Sequence, residues 1–125
     1  MYKRILVVED NESILFNISL VLKLNNYDVI TAVNGKKALE MLSNNRNLPD
    51  LIISDILMPE MNGYVLLENI KRNENWKIIP FIFLSAKATA EEIDFGKSLG
   101  ILEYVTKPIN EEIFLELINK RLNPN

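Results

Sequence analysis

RILVVEDNESILFNISLVLKL, residues 4–24, carries two different periodicities separated by three polar residues. Arg4–Val8 is a short, mostly apolar run, the pattern of a strand buried on both faces. From Glu12 to Leu24 apolar residues recur at helical spacing, with Asn11 placed to cap the helix and Asn25-Asn26 placed to end it. A buried strand that turns through an acidic corner into a helix is one βα unit.

The same unit recurs along the rest of the chain. Asp28–Val33 is β-branched and more mixed in polarity, which suits an edge strand. Asn34-Gly35 then opens a helix to about Ser43, with Ala38, Leu39 and Leu42 on one face. Leu51–Ser54 is a third strand, introduced by Pro49-Asp50. Pro59–Gly63 forms a loop and cap before a helix to about Arg72. Ile78–Leu84 reads as a fourth strand with Pro80 near its start, where a ladder tolerates proline. A helix over Ala90–Leu99 stops at Gly100, a residue suited to the left-handed cap. Glu103–Thr106 is a short fifth strand, and a helix over Glu111–Leu122 follows the Asn110 cap.

Five βα units imply right-handed crossovers and an α/β fold, a five-stranded parallel sheet with helices on both faces. The strongly apolar first and third strands belong at the centre, the second and fifth at the edges, so the expected order is 2-1-3-4-5. A closed barrel would need about eight units. No repeat, linker or low-complexity stretch divides residues 1–125, and a single domain is expected. The first helix carries its core stripe on Ile14, Ile18, Val21 and Leu22. Phe16 and Leu20 fall roughly opposite, and lateral packing against the last helix is the expected explanation. Trp76 falls in the loop before strand four and reads as structural.

Composition narrows the chemistry. The 125 residues are 48% hydrophobic and 25% charged, within the globular range. There is no cysteine and no histidine. Thiolate zinc sites, cysteine nucleophiles and Ser–His–Asp triads are therefore excluded. A net charge of −3 lacks the basic footprint of direct nucleic-acid binding. No apolar run approaches the ~20 residues of a membrane span, and no signal-peptide pattern opens the sequence. A cytoplasmic domain is expected.

In an open parallel sheet the carboxyl ends of the strands share one edge, and ligands sit where the strand order reverses. Residues at the strand ends are Glu9 and Asp10 after the first, Asp55 after the third, Ser85 after the fourth and Lys107 after the fifth. Taken alone, Glu9-Asp10 reads first as a helix cap, Ser85 as a turn hydroxyl and Lys107-Pro108 as a turn. Asp55 caps nothing, because the next helix starts several residues later. Two carboxylates about 5 Å apart repel by roughly 3 kcal/mol at an effective dielectric near 20. Three of them with one lysine leave a charge deficit that a hard divalent ion fills. Mg2+ accepts all-oxygen ligands and commonly joins one or two carboxylates to a phosphate oxygen. A carboxylate is also a competent nucleophile toward phosphorus.

At these residues the sequence resembles the receiver domain of two-component response regulators, of the stand-alone, chemotaxis-regulator-like kind. The resemblance runs from ILVVEDN (Ile5–Asn11) through IISDILMPEMNG (Ile52–Gly63) and FLSAK (Phe83–Lys87) to YVTKP (Tyr104–Pro108). It implies a flavodoxin-like doubly wound fold and a phosphorylation-activated switch. Asp55 would be the phosphoacceptor, taking a phosphoryl group from a sensor histidine kinase or a histidine phosphotransfer protein. Asp10 and Asp55 would bind Mg2+, with Glu9 assisting through water and the Leu57 backbone carbonyl as a further ligand. Ser85 would bond a phosphoryl oxygen, Lys107 would pair with the phosphoryl group or Asp55, and Tyr104 would be the aromatic switch. Ser85 drawn to the phosphoryl group would let Tyr104 turn inward and reshape the surface of the fourth helix, fifth strand and fifth helix for a downstream protein target. The oligomeric expectation is a monomer or a phosphorylation-dependent dimer. Phe16 and Leu20 would then also serve as a docking patch for the phosphoryl donor.

Glu9 stands where aspartate is commoner in this family, and Ser85 where threonine is. Gly100-Ile101-Leu102-Glu103 is bulkier than the usual Gly-Ala stretch. Leu57 and Lys87, two positions beyond Asp55 and Ser85, are expected to hinder the hydrolytic water and lengthen the phosphoryl lifetime. The competing reading is a phosphorylation-independent, receiver-like protein-binding module, which has no need of the full acidic, hydroxyl and lysine set. A flavin carrier of the same fold would want a Gly/Ser/Thr-rich loop after strand one, where Glu9–Glu12 would repel phosphate. An aspartate-nucleophile phosphatase would place its acid two residues after the nucleophile, where Leu57 stands. The sequence fits either a free-standing receiver or a piece of a longer regulator or hybrid kinase.

Overall fold

The computed structural model describes residues 2–44, 47–86, 89–101 and 103–124. Its elements alternate without exception: β1 (Arg4–Val8), α1 (Glu12–Leu24), β2 (Asp28–Ala32), α2 (Gly35–Asn44), β3 (Leu51–Asp55), α3 (Gly63–Lys71), β4 (Phe81–Ser85), α4 (Ala90–Ser98), β5 (Tyr104–Thr106) and α5 (Glu111–Leu122). The strands form one parallel sheet in the order β2-β1-β3-β4-β5, as the alternation of polarity implied.

Period-two alternation in the central strands divides the core. Ile5, Val7, Leu51, Ile53, Ile82 and Leu84 face the side covered by α1 and α5, where Leu15, Ile18, Leu22, Phe114 and Ile118 meet them. Leu6, Val8, Ile52, Phe81 and Phe83 face α2 and α3, against Ala38, Leu42, Leu66, Leu67 and Ile70. Asparagine side chains start four helices, each accepting from the backbone N–H three residues on: Asn11 from Ile14, Asn34 from Lys37, Asn62 from Val65 and Asn110 from Ile113. Gly100 adopts φ +89° after α4, the left-handed cap expected there.

Three local expectations need correction. Strand β4 starts at Phe81 rather than Ile78, because Pro80 has no N–H for a ladder and Asn73–Ile79 closes into turns, with Lys77 N–H donating to the Asn73 carbonyl. The buried row of α1 is Leu15, Ile18, Ser19 and Leu22; Ile14 and Val21 are only partly buried, and with Lys107, Pro108 and Ile109 they line a groove toward α5. Ser19 is tolerated in that row because its hydroxyl donates to the Leu15 carbonyl at 2.7 Å. The lateral packing expected of Phe16 and Leu20 is not formed: they are 65% and 43% exposed, since it is the Ile14–Val21 side that turns to α5. Trp76 packs partly buried against the α2–α3 core. Leu102, in the bulky stretch before β5, lies outside the described residues, while Ile101 beside it is buried.

Candidate functional site

The sequence-selected residues converge at the carboxyl edge of the sheet. Parallel pairing of β1 with β3 sets Val8 beside Ser54, so Glu9 and Asp10 leave β1 next to Asp55, the last residue of β3. One carboxylate oxygen from each of Glu9, Asp10 and Asp55 lies within 4.8 Å of the others. Asp10 is exposed, whereas Glu9 and Asp55 are buried, at 1% and 7% exposure. Lys107, brought in by β5, reaches between the two buried acids, its Nζ 2.5 Å from Glu9 Oε1 and 3.1 Å from Asp55 Oδ2. The Lys107–Pro108 peptide that follows is cis.

The electrostatics follow from that burial. Loss of hydration raises the Glu9 carboxyl from an ordinary 4.5 to about 6, against the lowering effect of Lys107 and of the Asn11 N–H; the Asp55 charge adds to the rise. Burial opposes the charge on Lys107, but its hydrogen bonds to Glu9 and Asp55 outweigh that, and its pKa is raised. Glu9 Oε1 makes no hydrogen bond of regular geometry among the described residues, its neighbour being the Lys107 ammonium. Three carboxylates that bring oxygens within 4.8 Å of one another, with one ammonium between the two buried acids, are an all-oxygen set that fits a hard divalent cation. Among the described residues, the Leu57 carbonyl accepts no backbone hydrogen bond, while its side chain is 77% exposed.

A testable consequence concerns Glu9. A folded-state pKa raised above the unfolded value means that charging the group opposes folding: the cost is absent below about pH 4.5 and complete above about pH 6. In EDTA at pH 7.5, Glu9→Gln should therefore be more stable than wild type by on the order of 1–2 kcal/mol in urea unfolding, with the difference vanishing toward pH 4.5. A variant destabilised at both pH values would contradict this account.

Ser85 is buried at the end of β4, and its Oγ donates to Glu92 Oε2 at 3.1 Å. Tyr104 is half-buried beside Phe83, with its hydroxyl donating to the Glu92 carbonyl at 2.6 Å. Burial, with Tyr64 and Glu92 close by, pushes the Tyr104 phenol up to about 12, so it remains a donor. The sequence reading missed Glu92 and two glycines that permit these contacts. A Cβ at Gly63 would stand 2.5 Å from the Asp55 carbonyl oxygen and 3.0 Å from both Ile56 Cα and Phe83 Cε1. A Cβ at Gly96 would overlap the Tyr104 hydroxyl. Lys87 lies outside the described residues.

An acidic edge gathered around one lysine, at the point where strand order reverses, is the layout of a signalling receiver. The chain belongs to the response regulator receiver domain family, whose sequence pattern matches residues 5–119. It is 34% identical over 118 residues to the response regulator SaeR of Staphylococcus aureus, an alignment covering 94% of this chain and 50% of SaeR. The chain thus spans half the length of the curated relatives it matches. Among solved structures, the chemotaxis response regulator CheY4 of Vibrio cholerae superposes with a TM-score of 0.88 at 30% identity, covering 97% of this chain and 99% of that one. The non-phosphorylated HemR receiver domain of Leptospira biflexa gives 0.85 at 33% identity, with 97% and 94% covered. Membership places the chain among the receiver domains of response regulators. Receiver domains as a family bind Mg2+ through acidic residues and interact with histidine kinases or phosphotransfer proteins. Among the described residues no helix is long and apolar enough to cross a membrane.

Proposed function

We propose that this chain is a two-component receiver whose phosphoacceptor is Asp55. The observation that carries the reading is the Asp55 carboxylate itself: buried at the end of a central strand, held through one oxygen by Lys107, and within 4.8 Å of two further carboxylates. In transfer, an Asp55 oxygen attacks phosphorus as the P–N bond to the donor's histidine breaks, and the bonding pair leaves on the imidazole nitrogen, which takes a proton from solvent. The protein's part is positioning and charge neutralisation. Lys107 supplies a fixed positive charge beside the arriving oxygens, and Ser85 a hydroxyl donor. Asp10, Asp55, the Leu57 carbonyl and Glu9, directly or through water, would hold Mg2+, which lowers the repulsion between carboxylate and phosphoryl group. The donor is a sensor histidine kinase or histidine phosphotransfer protein, the readout a downstream protein target rather than nucleic acid. We place the domain in the cytoplasm, as a monomer or phosphorylation-dependent dimer. The exposed Phe16 and Leu20 on α1 are free to serve as the donor's docking patch.

The test is incubation with acetyl phosphate and Mg2+, followed by intact-mass measurement and peptide mapping. One acid-stable, alkali-labile phosphoryl group per chain, mapping to Asp55 and lost in EDTA, is expected. Wild-type protein that stays unlabelled would leave a phosphorylation-independent binding module as the reading. Leu57 projects two residues past Asp55 without core packing, and we read it as a shield against hydrolytic water. Leu57→Ala should lose label about threefold faster than wild type in a chase without donor; an unchanged half-life would remove Leu57 from that role.

A further inference from the structure

Glu92 touches both residues on which switching depends. Its carboxylate oxygen Oε2 accepts from Ser85 Oγ at 3.1 Å, and its main-chain carbonyl accepts from the Tyr104 hydroxyl at 2.6 Å. Its place in the sequence makes the first contact unexpected. Thr89-Ala90-Glu91-Glu92 has the spacing of a capping box, in which the glutamate turns back to the N–H of the cap residue. Thr89 performs its half, with Oγ1 accepting from Glu92 N–H at 3.1 Å. The Glu92 carboxylate is instead spent across a loop, on the hydroxyl at the end of β4.

That hydroxyl has one proton to donate. A phosphoryl group on Asp55 brings acceptor oxygens and about two negative charges. Ser85 then has two competing acceptors, both anionic, and the two anions repel one another across it. One of them has to give way. The element that carries Glu92 has few apolar anchors: Gly96 is the buried residue of α4, and Phe95, half exposed, meets Tyr64 edge-on with ring centroids 4.9 Å apart. A helix with so little apolar burial moves at small cost. Displacing the Glu92 side chain therefore disturbs the first turn of α4, whose carbonyl is the Tyr104 acceptor, and the absence of a Cβ at Gly96 is what lets the Tyr104 hydroxyl lie against the helix.

We propose that Glu92 is a positioning residue that restrains the switch: its carboxylate occupies the Ser85 proton in the resting protein, competes with the incoming phosphoryl group for it, and on release transmits the event through its own carbonyl to Tyr104. The inference rests on Asp55 being the phosphoacceptor and Ser85 a phosphoryl ligand, and it adds the residue that opposes them.

Beryllofluoride, a stable stand-in for the phosphoryl group, tests it without turnover. Wild type, Glu92→Ala, Glu92→Gln, Ser85→Ala and the Ser85→Ala/Glu92→Ala double variant are titrated with beryllofluoride at saturating Mg2+, followed by two-dimensional amide NMR. Glu92→Ala should bind at least about threefold more tightly, the scale of a competing hydrogen bond to a charged group, with Mg2+ affinity alone unchanged. Glu92→Gln, which keeps an acceptor but loses the charge and preserves the helix start, should fall between. In the Ser85→Ala background, removal of Glu92 should have no effect, and in Glu92→Ala the Tyr104 amide should shift before any beryllofluoride is added. Unchanged or weaker binding by Glu92→Ala and Glu92→Gln overturns the proposal. So does an equal gain in the Ser85→Ala background, which would reduce Glu92 to a diffuse charge. Wild-type protein that binds no beryllofluoride would sink the phosphoacceptor reading and this inference together, a result distinct from a normal wild type with unmoved variants.

Discussion

Asp55→Asn should abolish labelling by acetyl phosphate, a fall of more than about a thousandfold in rate, while the protein stays folded. The amide keeps the size and shape of the carboxylate but not the charge or the nucleophilic lone pair, so the barrier to attack on phosphorus rises by more than about 4 kcal/mol. Stability should not suffer, because Lys107 keeps its 2.5 Å ion pair with Glu9 and one member of a mutually repelling trio becomes neutral. The measurements are intact mass after incubation with donor and Mg2+, and the urea midpoint of the same sample. Retained labelling at wild-type rate would mean that another carboxylate is the acceptor. Unfolding of the variant would instead show that the Asp55–Lys107 pair at 3.1 Å holds the sheet edge together.

Gly63→Ala is expected to destabilise the domain by about 2–4 kcal/mol, against the usual preference of a helix for alanine by about 1 kcal/mol. Gly63 is the first residue of α3, and its N–H donates to the Ile56 carbonyl at 2.7 Å, which draws the helix start onto the chain leaving β3. The added methyl would meet the Asp55 carbonyl at 2.5 Å and the Ile56 Cα and Phe83 ring at 3.0 Å. Two of those neighbours are backbone and the third is a fully buried ring, so none yields cheaply. The shift would fall on Asp55 itself, and slower labelling should accompany the lower urea midpoint. A variant as stable as wild type would show that the α3 start can move freely, and the claim that it positions Asp55 would fail.

The alternation of strands and helices was legible because turn chemistry and periodicity agreed nearly everywhere: Asn11, Asn62 and Asn110 cap as their positions imply, and Gly100 ends α4 in the left-handed region. Reading went astray where local signals were degenerate. In α1 almost every position from Ile14 to Leu24 that is not polar is large and apolar, so several stripe phases fit equally well, and only contact with the sheet selects Leu15, Ile18 and Leu22. Ile78 and Ile79 look like strand residues, but the missing N–H of Pro80 delays the ladder to Phe81, and Ile78 is left 81% exposed. The gathering of Glu9, Asp10, Asp55, Ser85 and Lys107 was legible because strand ends share one edge. Glu92 was not, since its Ser85 contact depends on where α4 docks. Gly63 and Gly96 were equally silent, because close approach between distant segments leaves no local pattern.

The sparse seating of α4 has one more consequence. With Gly96 as its buried residue, moving this helix exposes little oily surface, so the balance between its alternative placements is set by a handful of polar contacts, each typically contributing about 1 kcal/mol. An imbalance of that size leaves the unfavoured placement occupied at the level of per cent rather than parts per million. A relay switched through such a helix would have a background output even when no message arrives, and the message would change the odds instead of opening a closed gate.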